Sequence, residues 1–232
     1  MHPIETESYA ILRTRLDTAD LPPLTRAVVE RIVHTTADPT WAGDLVCAED
    51  ALRAGRDALL AGAPLITDVR MVAVGITARA ATVALDLAPD PVDGLTRSAA
   101  GIRAAAQAYP EGAVWVIGNA PTALAELLGT GVRSPLVIGL PVGFVGSVAA
   151  KAALRQAGWA AVSNRSERGG AAAAAAAVNA LLYTEGSLAG PSMDAEGSLA
   201  GPSRDAEGSL AGPSRDADGS LAGPSTNAEE TS

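Results

Sequence analysis

The chain has two histidines, His2 and His34. His34 stands in the segment RIVHTTADP, at the end of a stretch whose apolar residues recur at helical spacing. An imidazole titrates near neutrality, so His34 could deliver a proton as a general acid. A histidine in the last turn of a helix could equally do no more than interact with the helix dipole. No serine or cysteine motif accompanies it: Gly-x-Ser-x-Gly is absent, and the one cysteine, Cys47, stands in no recognisable nucleophile context. One cysteine and two histidines leave few ligands for a metal and exclude a disulfide framework.

Arginines supply the other candidate chemistry. In Thr67-Asp68-Val69-Arg70, Asp68 and Arg70 could pair with each other or cap the next segment. Alternatively Arg70 could present its planar fork to a ligand carboxylate. Arg97-Ser98 opens a predicted helix, where backbone N–H groups would reinforce anion binding. An arginine at a helix start opposes the dipole, so stability alone explains Arg97 poorly. Asn119, in GNAPT, could cap a helix or donate its amide to a ligand carboxylate or carbonyl. The run GLPVGFVG at 139–146 has the spacing G-x-x-x-G-x-x-G and no following Gly-Lys-Ser/Thr, so it lacks the dinucleotide and P-loop signatures. A pocket-shaping loop carrying Phe144 and Val145 suits it better.

The elements that would position these residues alternate along the chain. Helices are predicted at 8–16, 24–35, 49–61, 96–109, 121–128, 148–156 and 170–182. Short apolar runs at 64–68, 82–87, 113–117, 136–140 and 160–163 are predicted strands. Such alternation indicates an α/β fold of three layers around a mainly parallel sheet. Ligands of such sheets bind at the carboxyl ends of the strands, which selects the loops 67–70, 118–121, 139–146 and 164–170.

The 232 residues carry a formal charge of −9, unevenly distributed. Residues 185–232 hold nine acids and two arginines and repeat an 11-residue unit of the form EGSLAGPSRDA. Each unit offers one leucine beside Gly and Pro, too little to build a stacked core, so this tail is expected to be disordered. Residues 1–184 form the expected folded domain; they are nearly neutral, with 14 arginines against one lysine, Lys151. The absence of a Lys/Arg run and the few aromatics argue against nucleic acid as a partner. The start MHPIETESYAILR lacks the apolar core of a signal peptide. The most apolar stretch, 135–150, is short of a membrane span and broken by Pro and Gly. A soluble, cytoplasmic protein is expected.

Taken together, several segments resemble one family. VIGNAPTAL (116–124), GLPVGFVG (139–146), TDVRMVAVGIT (67–77), TRSAA (96–100), VHTTADP (33–39) and SYAILR (8–13) are similar, in order, to precorrin-8X methylmutase, an isomerase of corrin biosynthesis. The resemblance implies a flavodoxin-like fold, an active site at or near a homodimer interface and no external cofactor. It implies a [1,5]-sigmatropic shift of a methyl group from carbon 11 to carbon 12 of precorrin-8X, or its cobalt form, giving hydrogenobyrinic or cobyrinic acid. By the same resemblance His34 is the proton donor, and Ser8, Thr77 and Arg97 contact the substrate. Thr67, Asp68, Arg70, Ser98 and Asn119 complete the expected binding set. Neighbouring enzymes of the same route are further expected partners. Some relatives carry His where this chain has Val74, which leaves His34 as the sole candidate acid. NRSERGG (164–170) matches the family's Arg/Gly-rich turn more loosely, and the repeats have no counterpart. A non-catalytic corrin carrier is the alternative.

Overall fold

The computed structural model describes residues 2–88 and 94–183. The expected disorder of residues 185–232 therefore lies outside the described residues. In chain order the elements are α1 (Pro3–Arg15), α2 (Pro23–Thr36), α3 (Trp41–Asp44), β1 (Leu45–Cys47), α4 (Glu49–Leu60), β2 (Leu65–Thr67), α5 (Arg70–Gly75), β3 (Thr82–Val83), α6 (Arg97–Ala108), β4 (Val114–Ile117), α7 (Pro121–Gly129), β5 (Val137–Gly139), α8 (Ser147–Gln156), β6 (Ala161–Asn164) and α9 (Ala171–Leu182).

Six strands form one sheet in the order β1-β6-β5-β4-β2-β3. β1 runs antiparallel to β6 and every other pairing is parallel. With the edge strand β1 set aside, the parallel strands follow the flavodoxin-like order, and the switch point falls between β2 and β4. Register sorts the side chains by face. Ile66, Trp115 and Val137 are neighbours across the sheet and pack under α6, α7 and α8. Val116, Ile138 and Val162 are neighbours on the opposite face, under α9 and the helices outside it. β2, β4 and β5 are buried on both faces, which is why they read as short continuous apolar runs.

The helices outside the sheet come close because their contact residues are small. The alanines of α9 at 173–177 are buried, and α2 packs against this helix. A Cβ on Gly75 would lie 2.8 Å from the Ala175 Cβ. α1 in turn packs on α2.

One sequence expectation is corrected. The segment 82–87 is not one strand: it pairs only over Thr82–Val83 and then closes into a 3-10 turn, Ala84–Leu87. The turn buries Ala84 against α6, where a Cβ on Gly101 would meet the Ala84 carbonyl oxygen at 2.4 Å. α3, β1 and α5 are not among the expected elements; all three are short, and β1 forms only by pairing with the distant β6.

Among the described residues no helix is long and apolar enough to cross a membrane.

Candidate active site

α1 and α2 bring two sequence candidates together, Ser8 and His34. α2 begins at Pro23, and its first free N–H groups, on Leu24 and Thr25, donate to the Glu49 carboxylate at 3.0 and 2.8 Å. It ends where Ala37 takes a left-handed conformation, φ 52°. His34 occupies the last turn. Its Nδ1 lies 3.0 Å from the Ser8 hydroxyl of α1. A hydroxyl can donate to the neutral ring or accept from the imidazolium, so Ser8 serves either state. The Tyr9 ring is stacked on the imidazole, with centroids 4.7 Å apart and planes 5° apart.

His34 opens onto a cleft of about 470 Å³ lined by Glu5, Arg31, Gly75, Asn179 and alanines of α9. A smaller hollow on its other side is lined by Ser8, Ile11, Arg15 and Pro39. Burial, reinforced by the Arg31 guanidinium and opposed by Glu5, lowers the pKa of the imidazole below its ordinary value. Thr77 borders the same region. Its N–H donates to Asn179 Oδ1 at 3.1 Å, and its hydroxyl is 3.0 Å from the Tyr183 hydroxyl.

The other candidates stand apart from this cleft. Arg97, exposed at the start of α6, forms no hydrogen bond or ion pair with the described residues, and Ser98 follows it. Thr96, the N-cap of α6, accepts from the Ala99 N–H at 3.2 Å, and its hydroxyl lies 2.8 Å from that of Thr122 in α7. This contact ties the start of α6 to the start of α7. None of Arg70, Arg97, Ser98 or Asn119 lines either hollow that His34 lines.

Three candidates have other partners than the sequence suggested. Asp68 is fully buried and does not pair with Arg70; its carboxylate accepts from the backbone N–H groups of Gly118, Asn119 and Ala120. Burial pushes that carboxyl up, and these hydrogen bonds oppose the shift. Arg70 pairs instead with Asp86 at 2.8 Å. Asn119 does not cap α7 with its side chain: the N-cap is Ala120, and Asp68 does the capping from β2. Thr67 is buried, its hydroxyl 3.5 Å from the Thr82 carbonyl.

The apolar loop at 139–146 presents Phe144 at 97 % and Val145 at 88 % exposure. Its base is fixed from the loop after β6: the Gly143 N–H donates to the Glu167 carbonyl and the Gly170 N–H to the Leu140 carbonyl. Lys151, fully buried, holds that second loop. Its Nζ donates to Asn164 Oδ1 and to the Ser166 and Arg168 carbonyls. Burial lowers its pKa to about 8. Burial also raises the Cys47 thiol to about 11, so it is protonated and a poor nucleophile at neutral pH. Among the described residues no group of three or more His, Cys, Asp or Glu is placed to hold a metal ion.

The family model for precorrin-8X methylmutase matches residues 3–184. The chain belongs to the precorrin-8X methylmutase family. The cobalt-precorrin-8 methylmutase of Salmonella typhimurium is 38 % identical over 78 % of this chain and 93 % of its own length. The precorrin-8X methylmutase of Pseudomonas aeruginosa is 39 % identical over 77 % and 93 %. The crystal structure of precorrin-8x methyl mutase from Thermus thermophilus superposes with a TM-score of 0.69 at 34 % identity, covering 77 % of this chain and 95 % of that one. As a methylmutase the chain is an isomerase that works by methyl migration. Tyr9, Arg31, Glu5 and Asn179 stand around His34 and its cleft, and the sequence did not single them out. Arg31 precedes His34 by three positions, a spacing that places both on one helix face. Asn179 is a lone polar residue in an apolar helix, an irregularity that could have drawn notice.

Proposed function

We propose that the protein moves the methyl group on carbon 11 of precorrin-8X, or of its cobalt form, to carbon 12, with His34 as the proton donor. The observation that carries this reading is His34 itself, fixed by Ser8 and Tyr9 and open to a cleft it shares with Arg31. The shift is intramolecular. A proton passes from the imidazole to the macrocycle, the methyl group changes carbon, and a proton is returned, so the composition is unchanged. Substrate acetate and propionate groups match Arg15 beside His34 and Arg97 at the start of α6.

The active form is a homodimer on this reading. Phe144, Val145, Met71 and Val74 form exposed apolar surface of the kind that a second copy covers. A dimer would also provide a way for Arg97 and Asn119 to reach a ligand held at His34. Catalysis resides in residues 1–184; the acidic repeats have no part in it, and the enzyme works in the cytoplasm.

The deciding experiment is incubation of the purified protein with precorrin-8X while the visible spectrum is followed. Conversion to the product spectrum by the wild type, and its loss in His34→Ala with product binding retained, is the expected result. Binding without conversion by the wild type would replace this reading with that of a corrin carrier.

A further inference from the structure

We propose that Arg31 is a positioning residue for His34, acting through Tyr9 to hold the imidazole with Nε2 as the nitrogen that exchanges the proton. The inference rests on the proposed function and deepens it.

Four contacts make the arrangement. Arg31 Nη1 donates to Glu5 Oε1 at 2.8 Å and to the Tyr9 hydroxyl at 3.3 Å. Tyr9 is only 2 % exposed, so its ring has little room to turn. That ring lies parallel to the imidazole and covers one face. The Ser8 hydroxyl occupies Nδ1. Nε2 is left without a hydrogen-bond partner among the described residues, and His34 is a wall of the cleft. When the Ser8 hydroxyl donates to Nδ1, the neutral ring carries its hydrogen on Nε2.

The geometry also explains why the tether is needed. Ser8 and Tyr9 belong to α1, whereas His34 belongs to α2. The orientation of the imidazole therefore depends on how α1 docks on α2. Arg31–Glu5 is the ion pair between these helices at the His34 end, its side chains 20 % and 21 % exposed. At the other end Glu30 accepts from Arg13 of α1. Loss of the Arg31 guanidinium breaks its bonds to Glu5 and to the Tyr9 hydroxyl together, and with them the tether between α1 and α2 at the His34 end.

The same guanidinium sets the charge beside His34. The ionisable groups around the ring are Glu5, Tyr9 and Arg15 from α1 and Arg31 from α2. From α5 and α9 only uncharged residues line the cleft. In the free protein Arg31 disfavours the imidazolium. A carboxylate bound in the cleft compensates that charge, so ligand arrival raises the proton affinity of His34.

The test uses the full chain and the fact that it has only two imidazoles, one of them at His2 near the terminus. In a nitrogen-15 NMR titration of the free protein, Arg31→Met should move the His34 midpoint to higher pH. Arg31→Lys should leave it near the wild-type value, because the charge stays. With precorrin-8X, both variants should lose about tenfold or more in kcat, and Arg31→Met alone should shift the pH limb of kcat/KM, upward with the NMR midpoint. Tyr9→Phe removes the hydroxyl that Arg31 holds and should lower kcat, and Tyr9→Leu, which removes the stacked ring as well, should lower it further. An unmoved His34 midpoint in Arg31→Met, or a rise in KM with kcat unchanged, would overturn the proposal. Inactivity of the wild type toward precorrin-8X would remove the proposed function, while the NMR titration would still report whether Arg31 governs His34.

Discussion

The Asp68 carboxylate at the end of β2 accepts the Asn119 backbone N–H at 2.8 Å, joining residues 51 apart in the chain. Gly118 and Ala120 donate to the same carboxylate. This single side chain ties β2 to the loop after β4 at the switch point of the sheet, and it supplies the cap that α7 does not make for itself. Asp68→Ala would leave these buried N–H groups unpaired. A loss of about 2–5 kcal/mol in stability is expected, measured by urea unfolding. Unchanged stability would remove Asp68 from this role.

Glu30 predicts the response to acid. It is 2 % exposed; burial alone would raise its carboxyl, but hydrogen bonds from Arg13, Thr18 and Arg26 hold it at about 2. A carboxyl with a folded-state pKa below its unfolded value contributes stability above the unfolded value and loses it as the pH falls toward the folded one. Stability should therefore drop by roughly 3 kcal/mol between about pH 5 and pH 2 on account of this group. Glu30→Gln should be less stable than the wild type at pH 7, and the gap should close at low pH. Denaturant titrations at a series of pH values give both slopes.

Lys151 offers three N–H donors to three acceptors around the loop 164–170. Lys151→Met fills the space but abandons two carbonyls and Asn164 Oδ1. The expected cost is about 2–4 kcal/mol, with faster proteolysis within 164–170 as the local sign. Because this loop supports the one carrying Phe144, turnover should fall as well. A variant with native protease resistance would contradict the assignment.

Arg97 is exposed at the start of α6 and has no partner among the described residues. On the proposed function it meets a substrate carboxylate. Arg97→Ala should weaken tetrapyrrole binding by roughly 1.5–3 kcal/mol and leave the unfolding midpoint within error. A titration followed by corrin absorbance measures the first, and unchanged affinity would take Arg97 out of the site.

Residues 185–232 carry most of the net charge but no apolar pattern. Ending the chain at Thr184 should leave the unfolding midpoint and the turnover of precorrin-8X unchanged. A fall in either would assign the repeats a part in folding or catalysis.

The sequence by itself determined the α/β layering, because buried parallel strands demand short apolar runs and their covering helices demand helical spacing. It singled out His34 and Ser8 through the motifs around them. It determined neither where acids would be used nor which residues would meet. Asp68 beside Arg70 reads as a local pair, yet it caps a helix that begins at Pro121, and Arg70 turns to Asp86. Tyr9 and Arg31 carry no local mark of a site, yet they meet at His34 because α1 docks on α2. The physical reason is range. Helix spacing, turn chemistry and motif order are local and survive in the string of residues. A carboxylate's choice among donors, and the ring that an imidazole stacks on, are decided only when segments tens of residues apart are packed together.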